Sequence, residues 1–250
     1  MIADPELLVF AGALIFARLG AILMLLPGFG EGSIPPRIRL AFALLFALAL
    51  GPMLAAQLPA VPEHPMRIAG LVITEAIIGL MIGAVARLFL ASASVAGQVI
   101  GQQSGLAMAQ FFDPSQGQQG ALMATFLNLT FMLLLFTTNT HHLLLQAAEG
   151  SYMIFPVGEL PPMSDAAQWA LGAFTDAFTI GVQMASPLIV FGLVFYFGLG
   201  VLSRLMPQAQ IFFIAMPSNI MAGLFITSIA LGAMATLWLT RIEQFAVEFQ

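Results

Sequence analysis

Apolar residues in this chain gather into six long blocks, at 7–26, 40–54, 68–90, 121–136 (continuing weakly to 148), 178–202 and 211–239. A helix needs about 20 mostly apolar residues to cross the hydrocarbon core of a bilayer. The blocks lack the period-2 alternation of barrel strands, and Ala, Leu, Met and Phe dominate them, so they predict helices. None of Asp, Glu, Lys or Arg occurs in 177–203 or in 205–240. The second of these runs exceeds one crossing, and Pro207 and Pro217 near its start predict a broken or re-entrant approach to the last helix. The opening residues are acidic, and the first apolar run is too long for a signal-peptide core, which predicts a first helix that is not cleaved. The connectors are short and rich in Pro and Gly; the longest polar one falls at 149–167. The expected fold is all-α and polytopic, with about six long hydrophobic helices, some of them broken.

Composition sharpens this picture. Of the 250 residues 60% are hydrophobic and 8% charged, where a soluble domain carries about 25% charged residues. So little polar surface cannot cover a water-exposed globule of this size, and the chain is an integral membrane protein. Lys and Cys are absent, and seven scattered Arg face twelve acids. That excludes a dense basic nucleic-acid footprint, a disulfide framework and a thiolate metal site. An orientation with the first residue outside places Arg37, Arg39, Arg87 and Arg204 inside, against Arg67 and Arg241 outside, which the positive-inside rule favours.

Signals for catalysis are weak. His141 and His142 are adjacent, so on a helix they diverge by about 100° and cannot share a metal as an i, i+4 pair does. No nucleophile elbow, Walker loop or dinucleotide fingerprint is present. The reading is therefore non-enzymatic, with neither metal nor cofactor. Three intramembrane charges remain, Arg18, Glu75 and Arg87. Such groups face a bundle interior, a cavity or one another. The expectation is that Glu75 partners Arg18 or a neighbouring subunit, while Arg87 snorkels near the end of its helix.

The middle of the chain departs most from a lipid-facing pattern. Residues 97–120 read GQVIGQQSGLAMAQFFDPSQGQQG and hold seven Gln. Gly97, Gly101 and Gly105 form a small-xxx-small ladder that permits close helix approach. Gln102 and Gln103 bring amides that are costly against lipid and suit protein or water instead. Asp113-Pro114 is a helix stop or start. Phe111 and Phe112 are bulky rings beside that turn, followed by the small and amide residues Ser115, Gln116 and Gly117, a composition suited to a constriction that can move aside. The alternative is a capped turn inside a tight bundle. A secondary transporter for a small solute, with its site at broken helices, is the competing function.

Four places in the sequence carry a family likeness. They are Ile34-Pro35-Pro36-Arg37-Ile38-Arg39-Leu40; Gly101 to Ala109 followed by Phe112-Asp113-Pro114; His141 with the later Phe155-Pro156-Val157-Gly158; and Ser203-Arg204-Leu205-Met206-Pro207-Gln208 with Phe212 and Pro217. In order and spacing over almost the whole chain, this resembles the flagellar biosynthesis protein FliR family, the SctT-type subunits of virulence secretion systems. Thr140 stands where family members commonly have Gly. The resemblance implies one export-gate domain over 1–250, a FliP-like part followed by a FliQ-like part, packed within a multi-subunit assembly. It implies FliP-like, FliQ-like and FlhB-like partners, unfolded exported proteins as transient cargo, and lipid but no nucleic acid. It further implies a bacterial inner-membrane location in the flagellar basal body, and a channel plug at about 111–119. Arg204, Pro207 and Gln208 would then be partner contacts or an anchor.

Overall fold

The computed structural model describes residues 5–54, 58–106, 122–206 and 211–249. These residues form seven helices: α1 (Pro5–Leu25), α2 (Pro36–Leu54), α3 (Pro65–Gln103), α4 (Leu122–Thr137), α5 (Thr140–Ile154), α6 (Met163–Leu205) and α7 (Ile211–Val247). No strand occurs among the described residues, and the protein is all-α and polytopic. The central stretch 107–121, including Phe111 to Gly117, lies outside the described residues, as do Pro207 and Gln208.

Local chemistry explains the helix ends. Helices α1, α2 and α3 each open on a proline, whose missing N–H costs nothing at the first helical position. Helix α6 follows Pro161-Pro162 and carries Asp165 in its first turn and Arg204 in its last, each complementing the helix dipole. Helix α5 ends at Phe155, whose extended backbone leads into Pro156.

Three expectations change in the structure. The block at 121–148 is two helices, because Asn139 adopts a left-handed conformation (φ 60°) between them. Helix α3 does not end near residue 90 but continues to Gln103, so Arg87 lies well inside it rather than near its end. The reason is packing: Ala93, Ala96 and Ile100 continue a buried stripe on the polar side of the apolar block. Pro217 leaves α7 unbroken, as Pro187 leaves α6; the single hydrogen bond lost at each is tolerated in long apolar helices. Helices α3, α6 and α7, with 39, 43 and 37 residues, are about 55–65 Å long at 1.5 Å per residue, roughly twice the hydrocarbon thickness. Among the described residues four helices are long and apolar enough to cross a membrane, or five spans if α4 and α5 make one broken span.

The chain forms two compact units. Unit 1 comprises Met1–Leu88, Leu135–Phe174 and Arg241–Gln250, and unit 2 comprises Phe89–Leu134 and Thr175–Thr240. In unit 1, α1 supplies the core with Phe10, Leu14, Ile15, Leu19, Ile22 and Leu23, a helix-period stripe packed along α2. Helix α3 crosses α1 at Gly79 and Gly83: a Cβ at Gly79 would strike the Arg18 carbonyl, and one at Gly83 would sit 3.0 Å from that of Ile22. Phe245 and Phe249 are buried beside Trp169 in the same unit. The core of unit 2 holds Leu127, Phe131, Ile180, Met184, Leu188 and Trp238. Trp238 stacks on Phe131 at 4.9 Å and donates its indole N–H to the Phe89 carbonyl at 2.8 Å.

Candidate functional sites

Two polar centres stand out against this apolar background, one in each unit. In unit 2 the last turn of α3 is held between α6 and α7. Gly97 lets the α3 backbone rest on that of Ala124 in α4. Gly101 is not a close-approach position, since a Cβ there would meet only Met123, at 3.9 Å. Gly105 ends the helix with φ 74°, a left-handed conformation that glycine adopts without strain. The Gln103 side chain lies against Gly192 of α6, and Ser104 against Gly223 of α7. Asn219 of α7 is 3% exposed; its Nδ2 donates to the Gln103 carbonyl at 3.2 Å and to the Tyr196 hydroxyl at 3.4 Å. Its Oδ1 is buried without a partner among the described residues. This grip fixes the backbone just before the central stretch.

On another face of the same helix, Gln98 and Gln102 are both exposed one turn apart. Two exposed primary amides one turn apart are costly against hydrocarbon. Asn219, the single Asn in the charge-free run 205–240, went unread in the sequence. Its isolation there was the available signal.

In unit 1 the intramembrane charges Arg18 and Glu75 meet, and both are fully buried. Arg18 Nε donates to Glu75 Oε2 at 2.6 Å. Arg18 Nη1 donates to the carbonyls of Ser151 at 3.2 Å and Phe155 at 2.7 Å. These carbonyls lie at the C-terminal end of α5, where the dipole favours a cation; that of Ser151 also accepts the Phe155 N–H at 2.9 Å, and that of Phe155 lies just past the helix. Glu75 Oε1 accepts the Gly158 N–H at 2.9 Å, and the Arg18 guanidinium lies 4.2 Å from the centre of the Tyr152 ring. One ion pair thereby ties α1, α3, the end of α5 and the turn after it. The two charges are each other's partner, with Arg18 Nη2 alone buried and unpartnered among the described residues, which describes a structural clamp better than a proton relay. Gly158 supplies φ 85° at that turn.

The remaining candidates lie apart from these centres. Arg87 is exposed and donates to the Gly30 carbonyl at 3.5 Å. Arg204 is exposed in the last turn of α6. His141 and His142 open α5 with ring centres 4.1 Å apart, and His141 Nδ1 lies 3.3 Å from the Leu135 carbonyl. Among the described residues no group of three His, Cys, Asp or Glu is arranged to hold a metal.

Comparison with known proteins accounts for this organisation. The sequence profile described as "Bacterial export proteins, family 1" matches residues 9–245. A flagellar biosynthetic protein FliR of Caulobacter vibrioides is 42% identical over 94% of both chains. The FliR of Escherichia coli is 30% identical over 83% of this chain and 78% of its own. The Yop proteins translocation protein T of Yersinia pestis is 31% identical over 57% of this chain and 56% of its own. The four quoted motifs, the membrane-capable helices and this similarity agree: the chain belongs to the FliR family of bacterial export proteins, membrane-embedded structural components of flagellar and type III export apparatus.

Proposed function

We propose that this chain is a non-enzymatic subunit of the flagellar type III protein export gate in the bacterial inner membrane, at the basal body. In this reading it forms part of the protein-conducting channel together with FliP-like and FliQ-like subunits, with an FlhB-like subunit at the entrance. Its own FliP-like and FliQ-like parts follow one another along the chain. Residues 111–119 plug the closed channel.

The observation that carries the reading is the pair of exposed amides, Gln98 and Gln102, on α3. They lie immediately before the gripped Gly105 and the central stretch. A passage for unfolded polypeptide has to admit both signs of charge, and amides offer hydrogen bonds without a fixed charge that would trap cargo. Asn219 holds the backbone at Gln103, just before the stretch.

Deletion of 111–119 tests this. The complex co-expressed with its partner subunits is expected to assemble, and cells or liposomes carrying it are expected to leak small ions or dyes. An assembled deletion complex as tight as the wild type refutes the plug. A chain that is fully stable and active alone, carrying a small solute, refutes the gate in favour of a transporter.

A further inference from the structure

We infer that the turn at Gly30 in unit 1 carries a binding site for the phosphate of an anionic phospholipid, formed by Arg39 and Arg87, with exposed Arg37 two residues before Arg39 on α2. The inference rests on the membrane location of the chain and is independent of the plug.

The turn is rigid. Gly30 N–H donates to the Leu26 carbonyl at 2.8 Å, a Cβ at Gly30 would strike the Met24 carbonyl, and Phe29 stacks on Phe42 at 5.3 Å. The Gly30 carbonyl therefore has a fixed direction. Two guanidiniums converge on it, Arg39 Nη1 at 3.4 Å and Arg87 Nη1 at 3.5 Å. Both contacts are long, and a neutral carbonyl cannot balance two positive charges. Among the described residues no carboxylate lies within 4 Å of either guanidinium. Arg39 Nε is buried with no acceptor among the described residues. Guanidiniums left in this state fit a phosphate, which accepts from several N–H groups at once.

The position is that of a headgroup. Arg67 and Arg87 lie 20 residues apart on α3, about 30 Å along a helix and equal to the hydrocarbon thickness. Glu75, the charge between them, is engaged with Arg18. On α3, Ile73, Ile77 and Leu80 are exposed at helix spacing and continue one face that ends at exposed Arg87. On α2, Leu44 and Leu48 are exposed in the same way, one after another below Arg37. Two apolar tracks thus descend from one cationic cluster, which suits a lipid with acyl chains. A carboxylate from another subunit would need the cations but not the tracks.

Glu31 opposes the anion. It is half-buried beside Gly30, and its Oε1 has no partner among the described residues. Its removal should therefore strengthen binding, a sign that an intrachain ion-pair role would reverse.

Native mass spectrometry of the complex, purified with its partner subunits, reads the occupancy of added phosphatidylglycerol against phosphatidylethanolamine of equal chain length. The wild-type complex should retain phosphatidylglycerol preferentially, and excess inorganic phosphate should not displace it. In R39Q/R87Q the preference should fall on the order of thirtyfold, two cations at about fivefold each. In E31Q it should rise severalfold. An unchanged preference in R39Q/R87Q, or an unchanged or lowered one in E31Q, overturns the site. Displacement by inorganic phosphate would overturn the lipid assignment. So would loss of a protein subunit from R39Q/R87Q while phosphatidylglycerol stays bound, which would assign the cluster to a partner's carboxylate. If the double variant fails to assemble, E31Q decides alone.

Discussion

Replacing Arg18 by Met removes one charge from the buried clamp of unit 1 and nearly conserves the length of the side chain. Four partners lose their contact: Glu75, the Ser151 and Phe155 carbonyls, and the Tyr152 ring. Breaking a buried ion pair from one side costs about 3–5 kcal/mol, because the other charge stays buried. For a chain of this size that lowers Tm by roughly 6–20 °C, at about 2–4 °C per kcal/mol. Glu75→Leu should cost a similar amount, leaving Arg18 uncompensated and the Gly158 N–H unpaired. In the double variant R18M/E75L no charge remains buried, so its loss should fall well short of the sum of the two. It should not reach zero, as hydrophobic replacement of a buried pair often does. The reason is that two backbone groups, the Phe155 carbonyl and the Gly158 N–H, are also satisfied by this pair, and each group left unpaired costs about 1–3 kcal/mol. Thermal unfolding of the purified complex, followed by fluorescence-detected size exclusion, measures all three variants. A shift below about 2 °C for R18M would refute the argument, since even 1 kcal/mol moves Tm that far. Strict additivity in the double variant would refute the ion pair as the source of the loss.

Other perturbations address single contacts. Gly97→Leu forces α3 away from Ala124 and should sharply reduce recovery of the assembled complex, whereas Gly101→Ala, whose Cβ makes only an ordinary van der Waals contact with Met123, should be recovered in wild-type amounts. Asn219→Leu removes the grip on Gln103 and should lower motility in a swimming assay while the purified complex keeps its composition. Trp238→Phe keeps the stack on Phe131 but loses the hydrogen bond to Phe89, costing about 1 kcal/mol and roughly 2–4 °C in Tm. Arg204→Lys keeps a positive charge and loses the planar fork, so full motility would leave only the anchor role for this exposed residue.

Much of the helical content could be read from the apolar blocks, because burial in lipid or protein demands long runs that few other structures need. The ends of helices were harder to read. Helix α3 keeps going past residue 90 because small residues such as Ala93 and Ala96 pack tightly, and small residues leave little hydropathy signal. The break at Asn139 depends on one left-handed residue among Thr and Asn, a feature without a periodic signature. Among candidate sites, Arg18 and Glu75 stood out because charges in apolar blocks are costly. Their backbone partners did not, since a carbonyl or N–H belongs to every residue alike. The crossing of α3 over α1 left a signal that went unread: Gly79 and Gly83 are four apart within an apolar block, a spacing that suits close helix approach. The Gly97 ladder drew the eye instead because of the amides around it.

The interleaving of the two units has a consequence for synthesis. Unit 1 draws on three separate stretches of the chain, and the last, beginning at Arg241, brings Phe245 and Phe249 into its core beside Trp169. Between Phe174 and Arg241 the ribosome makes the second half of unit 2. At about 5–20 residues per second that interval is roughly 3–13 s. Throughout it, Trp169 and the face of α5 at Gly150 wait without the rings that will cover them. Unit 1 begins before unit 2 and closes after it, so the growing chain has to shelter an open apolar face until the end of α7 arrives.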